Sequence, residues 1–256
     1  MVESWLVLLV VLAALGGLLV GSFLNVVAWR LPRGESLVAP GSHCPGCDHP
    51  VRPYDNVPVL SWLALRGRCR DCRTPISARY PLVEALTAAL AAGVIATNDG
   101  LHDVLLGLVL VALLVPIALI DLDHRIIPNR LSALGAVAAL AIGAATDLDG
   151  VAQQLIAGAA ATGFLLVAAL ARPGGMGMGD VKLAGVLGLF LGREVAVALL
   201  VALLAGTFVG IVVMARRGVG EGRKTAIPFG PFLALGGVVA LLAGAALVDW
   251  YLSTFA

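Results

Sequence analysis

Four cysteines and two acidic clusters hold most of the residues in this sequence that could do chemistry. The cysteines stand as CPGC (Cys44, Cys47) and CRDC (Cys69, Cys72), with 21 residues between the pairs. Each C-x2-C knuckle can present two thiolates to one ion, and two knuckles complete a tetrahedral four-sulfur site. We read a structural zinc site; iron in a rubredoxin-like site or a redox dithiol would use the same ligands. His43 and His49 flank the first knuckle. Four thiolates already close the shell, which leaves both histidines as solvated neighbours.

The acidic clusters are IDLDHRIIPN and GGMGMGDVKL. In the first, Asp121 follows directly on an apolar run, with Asp123, His124 and Arg125 beyond it. In the second, Asp180 opens an apolar segment after a glycine-rich stretch that includes Gly177 and Gly179. Two carboxylates brought together from separate helices could share one proton and activate a water, the chemistry of aspartic proteases. Glycines there would let the chain turn sharply and a substrate backbone come close. The spacing also fits a plainer reading, in which Asp121 or Asp123 is a solvated interfacial residue and Asp180 is a helix N-cap. Asp121 and Asp123 are two apart, so on a helix they point in nearly opposite directions and only one can face a partner.

The elements that must position these groups are apolar helices. Of 256 residues, 60% are hydrophobic and 13% charged, against about 45–50% and about 25% in an ordinary soluble domain. So large an excess cannot be hidden in one soluble core. The fold class is an all-α polytopic membrane protein. Disorder, a secreted disulfide scaffold and a soluble α/β enzyme are excluded. A net charge of +1 gives no sign of a nucleic-acid partner. Apolar runs at 5–29, 79–97, 101–121, 129–147, 150–171, 181–192, 194–215 and 228–250 predict about eight transmembrane helices. The 181–192 run is short for a full span, and Pro116 is expected to kink the third helix. The acidic residue before the first run and the arginines after it do not match a cleavable signal peptide.

Charge placement gives the orientation. With the loop after the first helix cytoplasmic, every Lys and Arg except Arg193 falls on or beside a cytoplasmic segment, while Glu3, Asp99, Asp103, Asp147, Asp149, Glu194 and Asp249 lie opposite. The N-terminus is then outside. Residues 30–79 break the composition: they hold eight of the 17 basic residues and all four cysteines. We divide the chain into a first transmembrane helix (1–29), a cytoplasmic zinc domain (30–79) and a membrane-embedded part (80–256). A segment of about 50 residues has too small a core to hold itself together, and a metal staple supplies what is missing. No internal repeat is evident.

At this point the sequence resembles the type IV prepilin peptidase family, the bifunctional leader peptidases and N-methyltransferases of bacteria. The resemblance runs through GSFLNVVAWRLP (21–32), the two knuckles, RYPLVEALT (79–87), IDLDHRIIPN (120–129), GMGDVKLAG (177–185) and IPFGPFLALGG (227–237). It implies that Asp121, seven residues before Pro128, and Asp180 of G-x-G-D are the catalytic pair. Archaeal relatives carry Lys where this chain has Asp123, which favours Asp121 over its neighbour. Gly177, Gly179 and Lys182 would support the pair. The family's substrates are precursors of type IV pilins and of type II secretion pseudopilins, cut after a basic leader at the cytoplasmic face of the bacterial inner membrane. The new N-terminal residue is then methylated from S-adenosylmethionine. No Rossmann fingerprint is present for that donor, and the cytoplasmic domain with Glu84 nearby is the place we expect it. Cleavage without methylation, an ion-coupled membrane transporter and a zinc-stapled scaffold without chemistry are the alternatives. A transporter would need acidic groups near the bilayer midplane, whereas both aspartates are read to one face.

Overall fold

The computed structural model describes residues 2–172, 175–218, 220 and 225–255. Gly174, Arg223 and Lys224, which figured in the glycine-rich stretch and the last basic loop, lie outside the described residues. Contacts divide the chain into two units, 1–97 and 98–256.

The first unit is a helical pair with a long insertion. Helix α1 (Val2–Arg30) packs along α3 (Arg79–Thr97). A β-carbon on Gly17 would lie 2.7 Å from the Ala88 Cα, and one on Gly21 would lie 2.8 Å from the Glu84 Cα. The two backbones therefore touch at glycines four residues apart, the G-x3-G geometry by which helices associate without a hydrophobic drive. Buried Asn25 ties the pair together by donating to the carbonyls of Gly21 and Tyr80 at 3.2 and 3.3 Å. The outer face of α1 leaves Trp5, Val7, Leu12, Leu15 and Leu19 exposed, as a lipid-facing helix requires.

Between these helices the chain forms 3-10 turns, the short helix α2 (Leu60–Ala64) and two cysteine knuckles. The knuckles repeat one another. In each, the residue before the first cysteine bridges to the proline three past the second, His43 to Pro50 and Arg68 to Pro75. Cys44 and Cys69 donate to the carbonyls of His49 and Thr74, both at 2.9 Å. Asp48 and Arg73 adopt matching positive φ angles of 58° and 61°. An eight-residue x-C-x2-C-x2-P unit thus occurs twice, contrary to the expectation of no repeat. Only cysteine and proline recur in it, because backbone geometry rather than side-chain identity is duplicated.

The second unit is a bundle of α4 (Leu101–His124), α5 (Asn129–Thr146), α6 (Val151–Ala171), α7 (Met178–Leu191), α8 (Val195–Arg217) and α9 (Gly230–Phe255). Its centre is α7, on which all of 183–188 is buried. Leu110, Leu114 and Ile117 of α4, Leu183 and Leu187 of α7 and Leu233 of α9 form the core. Glycine sets the spacing again: a β-carbon on Gly188 would lie 2.7 Å from the Gly158 Cα of α6. Helix α4 continues unbroken through Pro116.

Eight long helices therefore stand where eight apolar runs were expected, and among the described residues they make seven candidate spans. The difference lies at 178–217, one 40-residue apolar stretch that turns at Gly192. The φ of 54° with ψ of −131° at Gly192 suits glycine alone. Beyond it Arg193 pairs with Glu194 at 2.9 Å and with Asp249 at 3.2 Å.

Adding a methyl group at Gly188 should part α6 from α7. Gly188→Ala is expected to lower stability by about 1–3 kcal/mol. Gly163→Ala, where a β-carbon meets nothing within 4 Å, should be neutral or stabilising. Thermal unfolding of both variants in detergent checks this, and equal melting points would contradict it.

Candidate active site and metal centre

Asp121 lies in the last turn of α4, where its carbonyl accepts from the Arg125 N–H at 2.9 Å. Arg125 has a φ of 56°, a left-handed cap that ends the helix, and Pro128 leads into α5. The Asp121 side chain is buried, at 4% exposure. Its Oδ2 accepts from the Gly230 N–H at 2.9 Å, at the first residue of α9. Asp123 is exposed.

Asp180 is the third residue of α7 and is also buried. It does not occupy the N-cap position, which Gly177 takes. Instead its Oδ2 accepts from the Gly177 N–H at 3.1 Å, reaching back over the first turn. Gly179 lies against Ile127, where a β-carbon would come within 3.0 Å of the Ile127 Cβ. The first turn of α7 is therefore seated on the loop that follows Asp121. Lys182 is exposed and donates from Nζ to Asn129 Oδ1 at 2.9 Å.

A shared contact shows that the two aspartates and Gly230 are level. A β-carbon on Gly237 would meet both Leu187 at 2.8 Å and Leu114 at 2.9 Å. Leu114, Leu187 and Gly237 are each seven residues from Asp121, Asp180 and Gly230 respectively, about 10 Å along a helix. Helix α4 runs toward the site and α7 and α9 run away from it, so the three residues meet two turns above one packing layer. The carboxylates are near enough for their charges to interact. Neither Oδ1 has a hydrogen-bond donor among the described residues. Two carboxylates, each held by one oxygen and open at the other, can bind a water between them and exchange a proton.

Reading the sequence for chemistry missed Gly230 and Asn129. Both lie in segments compared above, but a backbone N–H leaves no side-chain signature, and an asparagine after Pro128 reads only as a helix start.

In the first unit, the Sγ atoms of Cys44, Cys47, Cys69 and Cys72 all lie within 4.8 Å of one another, and Cys44 and Cys72 are 3.6 Å apart. Tetrahedral coordination at about 2.3 Å per sulfur sets neighbouring sulfurs about 3.8 Å apart, so the donor set fits one metal ion. The electrostatics also call for a cation. Hydrogen bonding with the Thr74 hydroxyl and amide draws Cys72 down to about 6, against burial. Cys47 is pushed up to about 12: the His49 amide favours its thiolate, but burial and the other three sulfurs outweigh that. Four thiolates cannot ionise together without a positive charge among them. No histidine joins the cluster among the described residues, and His43 instead faces Asp48 at 3.8 Å.

Glu84 is buried in α3. Its Oε2 accepts from the Val59 N–H at 2.7 Å, at a valine held at φ 60° and ψ −51°. That carboxylate oxygen is engaged in shaping the segment before α2.

Comparison with known proteins agrees with this arrangement. Residues 15–97 match the bacterial peptidase A24 N-terminal domain, and residues 108–214 match the type IV leader peptidase family. A prepilin leader peptidase/N-methyltransferase of Aeromonas hydrophila is 38% identical, over 95% of this chain and 94% of its own. One of Myxococcus xanthus is 43% identical over 79% of this chain and 62% of its own. A type 4 prepilin-like proteins leader peptide-processing enzyme of Escherichia coli is 38% identical over 90% and 93%. No solved structure matches the chain. With two aspartates paired at one end of a helical bundle and a relative alike over nearly its whole length, this chain belongs to the type IV leader peptidase family.

Proposed function

We propose that this protein removes the leader peptide of type IV prepilins or pseudopilins and methylates the new N-terminal residue. The relatives' names carry both activities, and the residues supply a mechanism for the first. The observation that bears most weight is the pair of buried, level carboxylates, each tied through Oδ2 to a glycine N–H and open at Oδ1. We assign Asp121 and Asp180 as the catalytic pair, supported by Gly177, Gly179 and Lys182. One carboxylate, ionised, takes a proton from the attacking water, while the other, protonated, gives its proton to the scissile carbonyl oxygen. The tetrahedral intermediate then collapses: the C–N bond breaks, the leaving amine takes up the proton that the first carboxylate had accepted, and a hydroxyl of the intermediate returns its proton to the second carboxylate as the carbonyl re-forms. A transporter is not favoured: both aspartates sit in terminal turns of their helices rather than halfway along.

The protein is an integral membrane protein. We place it in the bacterial inner membrane with the N-terminus outside and the cysteine segment cytoplasmic, on the strength of the charge asymmetry. The four cysteines are placed to hold a metal; zinc is our assignment, as a closed four-thiolate shell serving to fold residues 30–79. S-adenosylmethionine is the proposed methyl donor. Glu84 was the residue expected near it, and its bond to Val59 supports a part in shaping that segment. The membrane-embedded peptidase part is 80–256.

Asp121→Asn and Asp180→Asn should each lower cleavage of a prepilin in detergent by about two to four orders of magnitude, while Asp123→Asn should keep most activity. An inactive Asp123→Asn beside an active Asp121→Asn would overturn the assignment. Purified protein should carry about one zinc per chain, lost with any Cys→Ser change. Mass spectrometry of the processed pilin should then show methyl gain falling further than leader loss. Variants that methylate every chain they cleave would remove the cysteine segment from methyl transfer.

A further inference from the structure

The two aspartates come from different elements, yet each is fixed in the same manner. Asp180 takes the N–H of Gly177, at the start of its own helix, and Asp121 takes the N–H of Gly230, at the start of a helix 109 residues later in the chain. The resemblance to a known family had singled out Gly177 but assigned nothing to Gly230. Two observations make Gly230 more than a close packing neighbour. First, its N–H is the hydrogen-bond donor to the Asp121 side chain among the described residues. Second, a β-carbon at this position would lie 2.7 Å from Asp121 Oδ2 and 3.1 Å from Cβ and Cγ. No side chain fits between the helix start and the carboxylate. Pro231 follows at once, with φ already suited to a first helical turn, so the direction of the Gly230 N–H is set by a stiff start to α9.

We propose that Gly230 is a positioning residue for peptide cleavage: its amide orients the Asp121 carboxylate so that Oδ1, not Oδ2, meets the water and Asp180. This rests on the two-aspartate reading of the site. Asp121 sits at the C-terminal end of α4, where the helix dipole disfavours an anion, and the N-terminal end of α9 offsets that field. The other charged groups nearby are Asp180 on α7, Asp123, His124 and Arg125 at the end of Asp121's own helix, and Lys182, which is turned to Asn129. Among the described residues the Asp121 carboxylate accepts its hydrogen bond from the Gly230 amide, while Arg125 donates to the Asp121 backbone carbonyl. The Gly230 amide is thus the group that chooses which oxygen faces the chemistry.

The test uses the full-length enzyme in detergent with a prepilin substrate. Gly230→Ala should lower kcat about tenfold or more with KM little changed, since misplacing a reacting group acts on the chemical step, and it should move the pH–rate profile. Gly237→Ala, equally tight but seven residues along the same helix against two leucine side chains, should leave the profile where it is. An ester in place of the Phe229–Gly230 amide deletes the N–H without adding an atom, and keeps the test valid should Gly230→Ala not accumulate in the membrane. That ester variant should show the same loss of kcat and the same moved profile. A wild-type kcat and profile in the ester variant would overturn the proposal, as would equal losses in Gly230→Ala and Gly237→Ala with unmoved profiles. Asp121→Asn separates the two levels: if it still cleaves, the two-aspartate reading fails; if it is inactive while the ester variant is unaffected, only the role of Gly230 fails.

Discussion

A carboxylate buried among apolar helices needs fixed donors, because water and mobile counter-ions cannot reach it freely. Asp121 and Asp180 meet that constraint with one backbone N–H each. Backbone amides are rigid and uncharged, so they hold an oxygen in place without neutralising the carboxylate, as the proposed proton exchange requires. A lysine or arginine in the same position would hold the carboxylate ionised and close off the shared-proton chemistry. Lys182 is indeed present on α7, but it bonds Asn129. The construction of the second unit follows from this need. It has to deliver two helix starts, α7 and α9, to the end of α4.

Glycine makes that delivery feasible by serving two separate ends. At Gly188 and Gly237 it permits close packing of α7 against α6 and of α9 against α4 and α7. At Gly177 and Gly230 it admits a carboxylate oxygen to the backbone N–H. The first kind is interchangeable in principle with other small residues and a shifted helix. Gly230 is not, because any β-carbon there occupies the space of the Asp121 carboxylate.

The first unit solves a different problem. A segment without a core of its own is organised by two copies of one backbone knuckle and by Glu84 gripping a strained valine. Left-handed φ at a β-branched residue costs energy and persists only where the surroundings over-determine it. Here a buried carboxylate and the helix that carries it do so. The four cysteine sulfurs lie close enough together to hold one metal ion.

Much of this was legible in the sequence. Composition and continuous apolar runs of about twenty residues dictate helices in a membrane, since a barrel strand would alternate polar and apolar residues. Cysteine spacing dictates the four-sulfur cluster, because a two-residue gap already presents two sulfurs to one point. The separation of Asp121 from Asp123 on a helix leaves one of them buried and the other exposed, as found. That Asp121 rather than Asp123 is the buried one was read from the sequence; that Asp180 stands at the third helical position and bonds back to Gly177 was decided by where α7 starts. The break at Gly192 was legible as well, because Arg193 and Glu194 interrupt the apolar run directly after a glycine. The role of Gly230 was invisible. A backbone N–H is common to every residue but proline, and only the packing of α9 against α4 and α7 decides which of them meets a carboxylate.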